Sequence, residues 1–163
     1  MRRSALAAVL IALALPSLSA AQSVAPNGVT GSLSLAGGAE LGLPDGEKAG
    51  LGELEFAVGY EFESVGLRPE LGLVLGLAPG SDFSFRPGVR VALPSVPVQL
   101  VAALDLSTAR VNGMSLRWLL LGVATELRLT GAFALFGEID SGAPLNSRAG
   151  LPLLFRAGTT FRF

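Results

Sequence analysis

From residue 28 onward the chain alternates apolar and polar residues with a period of two, in eight pieces of strand length separated by turn residues. Such a pattern builds strands with one apolar and one polar face. It does not build helices, whose apolar residues recur every three or four positions. The last piece is among the clearest. Leu153, Phe155, Ala157, Thr159, Phe161 and Phe163 share one face, and Arg156, Gly158, Thr160 and Arg162 share the other. An end so regular and so aromatic is expected to pair into a sheet, because unpaired chain ends fray into solvent.

The other seven pieces cover residues 28–39, 53–63, 66–77, 83–93, 98–107, 115–129 and 132–141. Turn residues separate them, among them Pro44-Asp45-Gly46, Pro79-Gly80-Ser81-Asp82, Pro94 to Pro97 and Val111-Asn112-Gly113. The piece at 53–63 sets Leu54, Phe56, Val58, Tyr60 and Phe62 against Glu53, Glu55, Ala57, Gly59 and Glu61. The piece at 115–129 has two readings. If Leu119, Leu121 and Val123 face outward, then Glu126, Arg128 and Trp118 face inward. A bulge near Gly122 would instead let Trp118 and Leu120 face outward with them, since one extra residue reverses the alternation.

Strands of about eleven residues are long for a globular domain, where five or six is usual. Tilted near 40°, they rise roughly 28 Å, which suits the ~25 Å apolar band of an outer-membrane barrel. The even count puts both ends of the barrel on one side, the periplasmic one in such a membrane. Under that orientation Tyr60, Phe62, Phe133, Phe161 and Phe163 form an aromatic girdle at the periplasmic rim. Phe56, Phe83 and Phe85, joined by Trp118 if it faces outward, are its counterparts at the outer rim. The expected fold is an all-β, eight-stranded antiparallel up-and-down transmembrane barrel.

Export is the second expectation. Residues 1–21 open with Arg2 and Arg3, run through apolar residues 5–15, break at Pro16 and end in small residues around Ser19 and Ala21. These are the three parts of a cleaved secretory signal. The apolar run is too short to span a bilayer, which takes ~20 residues. Residues 22–163 then form one barrel domain, with 10 basic groups (12 less Arg2 and Arg3) against 13 acidic ones. That balance suggests no nucleic-acid partner. A mean hydropathy of +0.57 fits a membrane protein. Yet beyond Glu40 the longest charge-free stretch is 91–104, interrupted by Pro94 and Pro97, so no second helical span is present.

The chain has no cysteine and no histidine. Disulfides, a lipid-modified cysteine anchor, Ser-His and Cys-His nucleophile pairs and histidine-containing metal sites are all excluded. No catalytic residue, metal or cofactor is assigned.

Residues 156–163, Arg-Ala-Gly-Thr-Thr-Phe-Arg-Phe, resemble the terminal assembly signal of bacterial outer-membrane barrels, carried by Arg156, Gly158, Phe161 and Phe163. With eight strands, the whole segment 22–163 resembles in pattern the small barrels of the OmpA, OmpX and OmpW type. The resemblance implies outer-membrane lipid as the surroundings, a monomer, and the barrel-assembly machinery and periplasmic chaperones as partners during biogenesis. Short outer loops, notably 79–82, depart from adhesive members of the group.

Inward-facing ionisable residues would be Glu53, Glu55, Glu61, Arg68, Glu70, Arg86, Arg90, Asp105, Glu126, Arg128, Glu138, Asp140, Arg156 and Arg162. Opposite charges in so narrow a lumen should pair, because an unpaired buried charge costs several kcal/mol. Glu61 with Arg68, across the second turn, is the expected adjacent pair. Glu53, Glu55, Glu138 and Asp140, near the outer mouth, offer carboxylate oxygens that suit a cation such as Ca²⁺. An eight-stranded barrel is just wide enough for its own side chains to fill. Many inward positions are small here, among them Ala57, Gly59, Gly72, Gly88, Ala103 and Ala134, which leaves room for a thin water path unless arginines take it. The alternative architecture is a secreted, lipocalin-like soluble barrel with the Leu/Phe face inward around an apolar ligand.

Overall fold

The computed structural model describes residues 27–109 and 113–163. The expected signal segment and two residues of the turn at 111–113 lie outside the described residues. Eight strands follow in order: β1 (Gly28–Leu41), β2 (Ala49–Glu61), β3 (Leu67–Ala78), β4 (Asp82–Ala92), β5 (Val98–Ser107), β6 (Ser115–Arg128), β7 (Phe133–Pro144) and β8 (Leu151–Arg162). Each pairs antiparallel with the next, and β8 pairs with β1 to close the barrel. Closure leaves no row of unpaired backbone groups, which a sheet in lipid could not tolerate. No helix among the described residues is long and apolar enough to cross a membrane, so any crossing is by strands.

The alternation read from the sequence sets the two faces. Leu33, Leu35, Phe56, Leu73, Leu75, Leu121, Val123, Ile139 and Phe155 are exposed on the outside, while Glu55, Arg68, Arg86, Arg90, Glu138 and Arg156 are buried within. This is the inverse of a soluble ligand-binding barrel, and it overturns the lipocalin-like alternative. A continuous apolar exterior of this extent is an interaction surface, and lipid is what it fits.

Both described ends lie at one rim, here the terminal rim. Its turns are short; one contains a 3₁₀ turn at Glu63–Val65, ended by Gly66 at φ +62°. Tyr60 and Phe62 pack at 4.8 Å between ring centroids, and Phe133 and Phe161 at 5.3 Å, along this rim. Phe83 and Phe85 make an edge contact at 5.0 Å on the far rim. Two members of the expected outer girdle belong elsewhere. Phe56, opposite Leu33 and Leu73, sits at mid-height, and Trp118 is wholly buried in the lumen.

The inward option for β6 is therefore the one the fold adopts, and the bulge falls at another residue. Asp105 pairs with Trp118 and Leu106 with Leu116, so Arg117 is the inserted residue. Arg117 and Trp118, adjacent in sequence, both point inward. The strands also overrun several expected limits. β1 reaches Leu41, β2 starts at Ala49, and β7 runs to Pro144.

Candidate functional site

The lumen is the candidate site, and it is built in layers. At the terminal rim, Glu61 from β2 accepts from Arg162 Nε on β8 at 2.7 Å and from Arg128 Nη2 on β6 at 3.1 Å. Arg162 also pairs with Glu126, whose other oxygen accepts from Arg68 Nη1 at 3.1 Å. The expected Glu61 to Arg68 pair is thus replaced by partners from the opposite wall. β2 faces β6 across the barrel, and at this diameter a guanidinium spans the lumen as easily as it reaches the adjacent strand.

The central layer is held by three arginines. Arg86 on β4 donates to Glu55 at 2.8 Å and Glu53 at 3.0 Å through Nη1, and to Asp105 Oδ1 through Nε at 3.1 Å and Nη2 at 2.9 Å. Arg90 donates to Glu70 at 2.8 Å and pairs with Glu138, with its guanidinium 5.3 Å from the Phe136 ring. Arg156 donates to Glu138 at 2.8 Å, and its Nη2 lies 3.3 Å from Glu55 and 3.4 Å from Asp140. Arg68 Nε, 3.7 Å from Glu70, links this layer to the terminal one. All fourteen charges named from the sequence are thereby placed in the lumen, each with at least one ion pair.

The two layers differ in charge. Three arginines in the terminal layer (Arg68, Arg128, Arg162) face two glutamates (Glu61, Glu126). In the central layer three arginines (Arg86, Arg90, Arg156) face six carboxylates (Glu53, Glu55, Glu70, Asp105, Glu138, Asp140). Of the suggested cation ligands, Glu53 and Glu55 share Arg86, and Glu55, Glu138 and Asp140 share Arg156, so arginine takes the place a cation would hold. No group of three or more acidic residues with the arrangement of a metal site occurs among the described residues.

Above the central layer, towards the far rim, comes an apolar plug. Leu51, Ala103, Trp118, Leu120, Ala149 and Leu154 pack together, and Trp118 and Leu154 have no exposed surface. Trp118 Nε1 donates to Gly150 O at 2.9 Å, which fixes the 145–150 loop over the barrel mouth. The outermost layer is a triad that period-two reading did not assign. Arg117 donates to Glu40 at 2.9 Å and to Asp82 at 3.3 Å, stacks at 3.7 Å from the Trp118 ring centroid, and Glu40 also accepts from Gly150 N at 2.8 Å. Glu40 and Asp82 were within reach of the alternation, each two positions beyond an inward residue, Gly38 and Ser84. Arg117 was not, because the bulge places it.

Small inward residues make room for these groups. A Cβ at Gly72 would strike the Glu55 carboxylate, and one at Gly122 would strike Asp140. A cavity of about 10 Å³ remains among Glu55, Glu138, Asp140 and Arg156, room for roughly one water molecule. The anticipated water path is filled there by arginine and carboxylate side chains.

A closed, eight-stranded antiparallel barrel with a charged interior and an apolar exterior has the architecture of the small transmembrane β-barrels. Three solved structures share it across nearly their full lengths. Neisserial surface protein A has 16% identity, with 85% of this chain and 99% of that chain covered, at a TM-score of 0.59. The N-terminal barrel domain of Pseudomonas aeruginosa OprF has 13% identity over 85% and 100%, at 0.52. A de novo designed transmembrane barrel has 15% identity over 87% and 98%, at 0.50. No family model matches the chain, and no curated protein matches it in sequence. The fold is that of the small outer-membrane barrels.

Proposed function

We propose that this protein is an integral outer-membrane barrel with a structural role, closed to passive diffusion and without enzymatic activity. The observation that carries this reading is the stack of cross-lumen ion pairs under the Trp118 and Leu154 plug. Carboxylates bonded to arginine are poor general bases, which supports the non-enzymatic reading. Purified protein in planar bilayers is expected to give no conductance above the lipid background, and cell fractionation is expected to recover it with the outer membrane. A reproducible open level would replace the structural reading with a narrow channel, and recovery in the soluble periplasmic fraction would overturn both.

The same reading puts the terminal rim in the periplasm and the far loops outside. It also makes Arg156, Gly158, Phe161 and Phe163 the segment met by periplasmic chaperones and the barrel-assembly machinery. Gly158 carries a second constraint. A Cβ there would strike Leu33 O and lie 2.6 Å from Ser34 Cβ, at the seam where β8 meets β1. Gly158→Ala is expected to slow refolding into detergent as well as assembly in cells, read as loss of the heat-modifiable gel form. Normal refolding in detergent with failed assembly in cells would limit Gly158 to an address role.

A further inference from the structure

The central layer has more carboxylates than guanidiniums, and the surplus is concentrated at Asp140. Its side chain is almost fully buried, and among the described residues neither of its oxygens has a hydrogen-bond donor. Among the described residues its one ion pair is with Arg156 Nη2 at 3.4 Å, already shared with Glu55. Glu138 stands two residues away on the same inward face of β7, lines the same small cavity and shares Arg156 with it. Two buried carboxylates side by side repel, whereas one acid and one carboxylate can share a charge-assisted hydrogen bond. The cavity of about 10 Å³ opens beside them and accepts about one water.

We propose that Glu138 and Asp140 form a proton-binding site in the lumen, holding one proton between them next to one ordered water. The proton comes from solvent as the barrel closes, leaving one carboxylic acid and one carboxylate with a single negative charge for Arg156 and Arg90 to meet. Facing charges come from β2 (Glu53, Glu55), β3 (Glu70), β4 (Arg86, Arg90), β5 (Asp105) and β8 (Arg156). β1 and β6 add none at this level, where the neighbours of Arg156 and Glu138 are Ala36 and Ala124. Removing the Gly122 hydrogen in favour of any side chain would displace Asp140, so β6 is shaped to leave that carboxyl in place.

Infrared difference spectra of the folded barrel in detergent at neutral pH test the proposal. The carbonyl band of a protonated carboxylic acid is expected, and it should vanish in Asp140→Asn and in Glu138→Gln, while the exposed-site control Glu47→Gln keeps it. A wild-type spectrum without that band overturns the proposal, and so does a band that persists in both folded variants. Should the variants not fold, ¹³C labelling of aspartate carboxyls in the wild-type protein must displace the band. A band that stays in place under the label excludes Asp140 as its source and overturns the assignment.

Discussion

Replacing Arg86 by methionine is expected to lower the unfolding free energy by at least ~3–5 kcal/mol, the cost of removing one partner from a buried ion pair. That is a large share of a typical domain's ~5–15 kcal/mol. Arg86 holds Glu53, Glu55 and Asp105 at once, so the variant strands Glu53 and Asp105 and leaves Glu55 to Arg156 alone. It also bridges a weak place in the wall. Between Phe85↔Leu106 and Gly88↔Ala103 the β4 to β5 ladder has no paired residues, at the point where Pro87 has no N–H to give. The Arg86 to Asp105 contact spans that gap from inside. Urea unfolding in lipid vesicles measures the loss. Adding Glu53→Gln and Asp105→Asn should restore much of it, because a buried amide carries a much smaller desolvation penalty than a buried unpaired charge. A single variant within ~1 kcal/mol of wild type would show that water or ions already solvate these carboxylates.

Trp118→Ala is expected to cost a similar ~3–5 kcal/mol, the usual range for deleting a buried large aromatic side chain. The indole packs against Leu154 and Leu120, carries the hydrogen bond to Gly150, and supports the Arg117 guanidinium. Trp118→Phe should keep most of the packing and lose about 1 kcal/mol with the hydrogen bond. Thermal unfolding followed by far-ultraviolet circular dichroism separates the two. Trp118 in a lipid-facing position would make the alanine variant nearly neutral, and that outcome would refute the inward assignment. The ion-paired layers beneath the plug should keep Trp118→Ala electrically silent in planar bilayers.

Both experiments concern places where a period-two reading is incomplete. The alternation named the fourteen luminal charges and the outward-facing leucines and phenylalanines, because side-chain direction in a strand is a local property. It stopped one residue short of Glu40, since strand limits depend on pairing with β2 and β8 rather than on β1 alone. It offered Glu61 and Arg68 as a pair because they flank one turn. The barrel gave Glu61 partners on β6 and β8 and gave Arg68 Glu126 on β6 instead, through the width of the lumen. The height of Phe56 followed from the register with β1 and β3, which no single strand encodes.

By itself, then, the sequence determined which residues face outward and which inward away from the bulge in β6, how many strands there are, and that charges line the interior. All of this follows from the fixed two-residue period of extended chain. The tertiary structure alone decided who pairs with whom in the lumen, where the bulge falls and that Trp118 closes the mouth. Those outcomes depend on register, shear and barrel diameter, which are set by eight strands together and by closure of β8 on β1.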